Sequence, residues 1–113
     1  MKTILTKSFI TDFEKHFKKY SIGHNDLVIK LKKTKIIKLK NPYFKIKTQL
    51  NGVELRGIGI FNDEKNLIPI FFVLKKEKIY GENLILNKEV LQKINNLLFS
   101  YSKDFQNGDI YCF

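Results

Sequence analysis

The sequence predicts an α+β fold, with an N-terminal strand and two helices packed on an antiparallel β-meander and a C-terminal helix. Three observations predict it: an aromatic stripe at helical spacing near the start, three strand-like runs around an Asn-Gly turn, and an amphipathic helical pattern near the end. With 113 residues, 43% of them hydrophobic, the chain is long enough to bury about two-thirds of the surface that it exposes when unfolded. We therefore expect a single domain over residues 1–113, of which 102–113 form a C-terminal tail.

The N-terminal third predicts one strand and two helices. A short strand over Lys2–Thr6 precedes a helix with Ser8 as its N-cap. Gly23 is expected to end this helix, and Asn25 or Asp26 to cap a second helix that continues to about residue 33. The core-facing stripe of the first helix consists of Phe9, Ile10, Phe13, Phe17 and Tyr20.

The middle of the chain predicts the meander. Residues 34–42 are expected to be a loop with some extended character, and strict alternation predicts a strand from Tyr43. Asn51-Gly52 is the strongest short hairpin signal, because a type I′ turn needs a positive φ at both positions. The returning strand is Val53–Phe61. After a turn, Leu67–Leu74 predicts a third strand that is covered on both faces, and Asn87 caps the C-terminal helix.

The hairpin register predicts an unusual pair on one of its faces. Lys47 lies opposite Arg56, the single arginine of the chain, and Lys45 lies opposite Ile58. Like charges directly opposite each other cost a few tenths of a kcal/mol. A phosphate between the two strands would turn that repulsion into charge-assisted hydrogen bonds. On the other face Gly57 and Gly59 are expected to leave room for helix side chains.

The charge distribution points to an anionic partner. The net charge is +10, and between Leu27 and Val53 there are eight lysines and no acidic residue. Such a patch suits a polyanion or an acidic protein, although a solvated lysine face, or basic edges that discourage aggregation, are also compatible with it. Lysines 75, 76 and 78 follow the third strand, with Tyr80 nearby, and we expect them to converge on the Arg56 end of the sheet.

Clustered cations lower lysine pKa values, so a lysine in this group could act as a general base or acid. The remaining cations would stabilise a pentacoordinate phosphate during RNA cleavage by the 2′-OH, without a metal. A binding surface and a catalytic site both remain open from the residues alone. His16 and His24 lie in the helical region, away from this face, and we find no carboxylate pair, P-loop or Ser/His/Asp set.

Other classes of protein are disfavoured. The single cysteine, Cys112, has no partner for an internal disulfide or a zinc site. The longest apolar run, Leu67–Leu74, is too short to span a bilayer and contains Pro69. We therefore expect a cytoplasmic protein without cofactor or membrane contact.

Several stretches together resemble the RelE/ParE toxin superfamily over Lys2–Asn96. They are TKSFITDFEKHFKKY as opening strand and helix, YFKIK followed by a glycine turn and an arginine strand, and the apolar strand that runs into LKKEK. The resemblance to the RelE branch implies a toxin of a type II toxin–antitoxin system, a ribosome-dependent endoribonuclease that cleaves messenger RNA. It also implies an acidic antitoxin as partner, beside the message and the ribosome.

The same resemblance implies roles for individual residues. Lys45 and Lys47 match lysines that bind and activate the message, Arg56 matches the arginine of the next strand, and Lys76 or Lys75 matches a basic residue after the third strand. Tyr80 matches a tyrosine that stacks on RNA. We accordingly assign catalytic roles to Lys45, Lys47, Arg56, Lys76 and Tyr80, and nucleic-acid binding to Lys38, Lys40, Lys75 and Lys78. The alternatives are a ParE-like DNA gyrase inhibitor and a non-catalytic basic RNA- or ribosome-binding domain.

Overall fold

The structure, a computed structural model, describes residues 2–77 and 85–113 and has an α+β architecture. Its sheet order is β2-β3-β4-β5, antiparallel throughout, and β1 pairs with β6 in a separate ribbon. A parallel bridge between Thr3 and Leu67 connects that ribbon to the start of β5. The elements are β1 (Ile4–Thr6), α1 (Lys7–Phe17), a 3-10 turn (Lys18–Tyr20), α2 (His24–Leu31), β2 (Lys35–Lys38), β3 (Tyr43–Leu50), β4 (Val53–Phe61), β5 (Leu67–Leu74), α3 (Lys88–Asn107) and β6 (Ile110–Cys112).

Two segments differ from the sequence prediction. The segment expected to be a loop contains β2, which pairs with β3 so that Ile36 lies opposite Ile46. The predicted polar tail is wrong as well: α3 continues to Asn107 and ends at Gly108, whose φ is +74°. The last residues then form β6, and the backbone N–H of Phe113 donates to the Thr3 carbonyl at 2.8 Å. Tertiary contacts therefore order the chain beyond the point where the amphipathic pattern stops.

Two side chains cap the start of the first helix, and neither of them is the predicted Ser8. Thr6 is the N-cap, and its hydroxyl accepts from the backbone N–H of Phe9 at 3.1 Å. The backbone N–H of Ser8 instead donates to the buried Asp104 carboxylate on α3, at 2.8 Å. These bonds satisfy two of the N–H groups that a helix start leaves without partners. They also tie α1 to α3.

The break between the helices is also built differently from the prediction. The chain turns at Ser21, which adopts a left-handed conformation with φ 56°. Gly23 does not end the first helix but is the N-cap of α2. The prediction of Asn25 or Asp26 as the N-cap is therefore wrong, since both residues lie within the first turn. The Asp26 side chain nevertheless accepts from the Gly23 N–H at 3.0 Å and so contributes to the cap from inside the helix.

The aromatic stripe of α1 packs on β5. Phe9, Phe13 and Phe17 are buried, as predicted, and the Phe72 ring meets Phe9 and Phe13 edge-on at centroid distances of 6.2 and 5.9 Å. Phe72 lies opposite Gly57, where a Cβ would come within 2.5 Å of its ring. The space above this glycine is thus filled by the neighbouring strand rather than directly by a helix, which corrects our expectation.

The C-terminal helix is fixed to the sheet by Tyr101. Its buried hydroxyl donates to the backbone carbonyl of Ile70. Burial, with the carboxylates of Asp12 and Asp104 adding to it, raises the pKa of Tyr101 well above its ordinary value. Among the described helices, none combines the length and the apolar character needed to cross a bilayer.

Candidate nucleic-acid interface

The β3–β4 hairpin forms with the predicted turn and register. Asn51 and Gly52 have φ values of 51° and 75°, as a type I′ turn requires. Lys47 lies opposite Arg56, and Lys45 opposite Ile58. Because directly opposite residues of an antiparallel pair project to the same side, the three cations share one face of the sheet.

Strand β2 extends the predicted pair to a row of three cations. Lys35 lies opposite Lys47, which in turn lies opposite Arg56. Neighbouring strands are about 4.8 Å apart, so each of these charges has a like charge on the adjacent strand. Lys35 and Lys47 are exposed, and Arg56 is partly buried. None of the three forms an ion pair with another described residue.

The Arg56 side chain is anchored at one point. Its Nη1 donates to the backbone carbonyl of the preceding residue, Leu55, at 2.9 Å. A guanidinium carries five N–H donors in a planar fork, and this bond uses one of them. The anchored fork remains suited to a two-point grip on a phosphate.

Lys45 is the residue of this face whose proton affinity is most clearly altered. Its side chain is partly buried, between Ile37 of β2 and the buried Ile58 of β4. Burial lowers the pKa of Lys45, and the positive charges of Lys47 and Arg56 lower it further. A lysine amine with a lowered pKa is a better general base near neutral pH than an ordinary lysine.

A groove of about 270 Å³ lies where the chain passes from α2 into β2. The Thr34 hydroxyl, between the two elements, donates to the Lys30 carbonyl at 2.8 Å and contacts the Thr48 hydroxyl at 3.1 Å. Lys75 lies 3.4 Å from Glu54, the one carboxylate among the described lining residues. We call this the α2–β3 groove; it is lined by Lys30, Lys33, Thr34, Lys35, Lys47, Thr48, Gln49, Glu54 and Arg56.

The structure brings together only part of the predicted site. Lys45, Lys47 and Arg56 are neighbours, whereas Lys75 pairs with Glu54 one row closer to the turn. The prediction for Lys78 and Tyr80 falls outside the described residues.

The remaining predicted cations lie further away. Lys76 is exposed in the turn after β5, and Lys40 is exposed just before β3. Lys38 lies opposite Phe44, so alternation places it on the other face of the sheet from Lys45.

Sequence reasoning missed the contributions of Lys30, Lys33 and Lys35 to the groove. The only local signal for Lys35 was the β-branched pair Ile36-Ile37 that follows it, which favours a strand. Lys30 on α2 and Lys33 in the turn after it reach the groove only because the helix ends beside β3, which the local pattern does not show.

The histidines and possible metal ligands lie elsewhere. His16 bonds Glu77 at 2.9 Å, and His24 bonds Glu14. Within residues 2–77 and 85–113, no three His, Cys, Asp or Glu side chains are grouped so that they could hold a metal ion.

Comparisons of the chain with protein-family models, with characterised proteins and with solved structures find no match in any of the three.

Proposed function

We propose that the protein is a toxin-type endoribonuclease that cleaves messenger RNA on the ribosome by attack of a 2′-OH on the adjacent phosphate. The observation that carries the proposal is Lys45, a lysine with a lowered pKa beside Lys47 and Arg56 on one face of the sheet. Ribosome dependence and an acidic antitoxin as partner rest on the RelE-type resemblance of the sequence.

The reaction divides its tasks among these three residues. The neutral amine of Lys45 accepts the proton of the 2′-OH while the 2′-oxygen forms a bond to phosphorus. Lys47 and Arg56 stabilise the negative charge that accumulates on the pentacoordinate phosphate. The bond from phosphorus to the 5′-oxygen then breaks, and that oxygen takes a proton from water. The products are a 2′,3′-cyclic phosphate and a 5′-hydroxyl.

Induced expression in bacteria tests the proposal. We expect growth arrest within one generation and new 5′ ends inside translated messages, mapped by primer extension. Arg56→Ala should abolish both, because it removes the bidentate donor for the phosphate. Lys65→Ala, in the exposed turn between β4 and β5, is the matched control and should stay toxic. Full toxicity of Arg56→Ala at equal protein level would refute the assigned role.

A second candidate is a non-catalytic RNA- or ribosome-binding domain. It is favoured by the extension of the cation row to Lys35, beyond the residues that the resemblance implies. Arrest or RNA binding with intact messages in the same experiment would select it. Intact messages accompanied by DNA damage would instead select a gyrase inhibitor.

A further inference from the structure

We infer that the α2–β3 groove binds a phosphate of single-stranded RNA next to the point of cleavage. This inference rests on the proposed function in so far as RNA is the anion. It adds Lys30, Lys33 and Lys35 to the RNA-binding surface, and it gives Lys47 and Arg56 contacts in the groove as well as at the reacting phosphate.

The groove concentrates positive charge. Five cations line the groove, and the single carboxylate among its described lining residues, Glu54, already contacts Lys75. None of the five forms an ion pair with another described residue. Charges held this close in the folded chain repel one another. A bound phosphate offsets the repulsion and accepts hydrogen bonds from several donors at once.

Stabilisation of the α2 C-terminus explains only part of this cluster of cations. Cations near a helix C-terminus interact favourably with the helix dipole, and this accounts for Lys30 and Lys33 at the end of α2. It does not account for Lys35, Lys47 and Arg56, which come from three strands. These five side chains, from α2, the turn after it and three strands, line the same groove.

The groove and Lys45 are separate but adjacent. Lys45 does not line the groove. It precedes Lys47 by two residues on β3, which places its Cα about 7 Å further along the strand. An RNA backbone that follows β3 therefore presents one phosphate to Lys45 and another to the groove. Lys47 lies between the two positions and can contact either phosphate.

The test measures RNA binding separately from cleavage. The variant Lys30→Gln/Lys33→Gln/Lys35→Gln is compared with Lys7→Gln/Lys88→Gln/Lys103→Gln, which removes three exposed lysines outside the groove. The probe is a 2′-O-methyl RNA oligonucleotide, which no 2′-OH attack can cleave. For single-stranded RNA, each phosphate that the protein neutralises contributes about 0.7 to the slope of log affinity against log salt. Because the groove binds one phosphate, we expect the slope to fall by up to about 0.7 for the groove variant and to change little for the control.

A finer comparison uses neighbouring residues of one helix end. Lys33→Gln removes a groove lysine, and Lys32→Gln removes an exposed lysine beside it that does not line the groove. Only the first should weaken binding of the oligonucleotide, and circular dichroism should show the same melting temperature for both variants.

The outcomes separate this inference from the proposed function. Equal salt slopes for the groove and control variants, or no RNA binding by the wild-type protein, would contradict the inference that the groove binds a phosphate. The protein could bind RNA through the groove lysines without cleaving it. That outcome would refute the proposed endoribonuclease activity but support the groove as an RNA-binding site. If the wild-type protein does cleave, the groove variant should show a raised KM and an unchanged kcat.

Discussion

The two faces of the β3–β4 hairpin differ in chemistry, because one is apolar and packed and the other is positively charged. On one face Ile46 and Leu55 are fully buried, and Gly57 makes room for the Phe72 ring. On the other face Lys45, Lys47 and Arg56 place like charges next to one another on adjacent strands. The first face stabilises the fold through burial. The second makes the fold less stable, because none of its three charges forms an ion pair with another described residue and the nearby Glu54 contacts Lys75 instead.

The two faces nevertheless depend on a single register. Because side chains alternate along a strand, a slip by one residue would send the apolar set to solvent and the cations into the core. The cost of that exchange fixes the pairing, and the pairing fixes the distances among the cations. Packing on one side therefore positions the charged groups on the other. This is how a stable scaffold can hold an arrangement that is itself unfavourable.

The largest effect should come from the charged face. Replacing Lys45 with Gln should lower the rate of RNA cleavage by about 10²–10⁴, the usual contribution of a general base. In the wild-type protein the rate should rise with pH up to the lowered pKa of Lys45, because only the neutral amine accepts a proton. Single-turnover rates on a saturating RNA, measured from pH 6 upward, check both points.

The control for this experiment is Lys65→Gln, which changes the same charge in a turn outside the face. It should keep both the rate and its rise with pH. A Lys45→Gln rate within about threefold of wild type, with the same pH profile, would show that another group takes the proton. An equal melting temperature of the two variants excludes unfolding as the cause.

A smaller effect should come from the packed face. In Gly57→Ala, the new Cβ would meet the Phe72 ring at 2.5 Å and the Phe71 carbonyl at 2.9 Å. Overpacking of this kind costs about 1–3 kcal/mol in the free energy of unfolding, measurable by urea denaturation.

Gly59→Ala provides the comparison within the same strand. Its Cβ would meet the Leu67 Cδ1 at 3.1 Å and the Ile68 carbonyl at 3.2 Å. We expect a smaller loss because these contacts are longer than those of a Cβ at Gly57. Equal losses at the two glycines would argue against the Phe72 contact as the cause, since backbone entropy favours alanine at both positions.

Local signals predicted the parts of the fold that depend on local chemistry. The turn at Asn51-Gly52 requires two positive φ values, and that requirement alone led to the correct pairing of Lys47 with Arg56. Strand β2 was not predicted because four residues at the edge of the sheet are too few to show an alternation of polar and apolar residues. Its pairing with β3, rather than a local sequence signal, makes this segment a strand. The row of cations was therefore predicted as a pair.

Long-range contacts account for the other errors. Asp104 caps the first helix from a position 96 residues away, so no window of sequence contains both partners. The same contact, with Tyr101 bonded to Ile70, orders the C-terminal residues that were expected to form a tail. The presence of Lys30 and Lys33 in the groove also depends on a long-range contact, because it is determined by where α2 ends relative to β3.

The smallest effect has the opposite sign and separates the two faces most directly. Lys47→Gln removes the middle charge of the row, which faces Lys35 on one side and Arg56 on the other. Relief of two cross-strand repulsions should stabilise the fold by about 0.5 kcal/mol at low salt. The gain should shrink as salt screens the charges of the wild-type row. Urea denaturation at two salt concentrations measures it, with Lys65→Gln as the reference. A loss of stability would mean that packing of the Lys47 methylene chain stabilises the fold by more than the repulsion of its charge destabilises it. A gain together with weaker RNA binding would show that this charge is kept for the ligand at the expense of the fold.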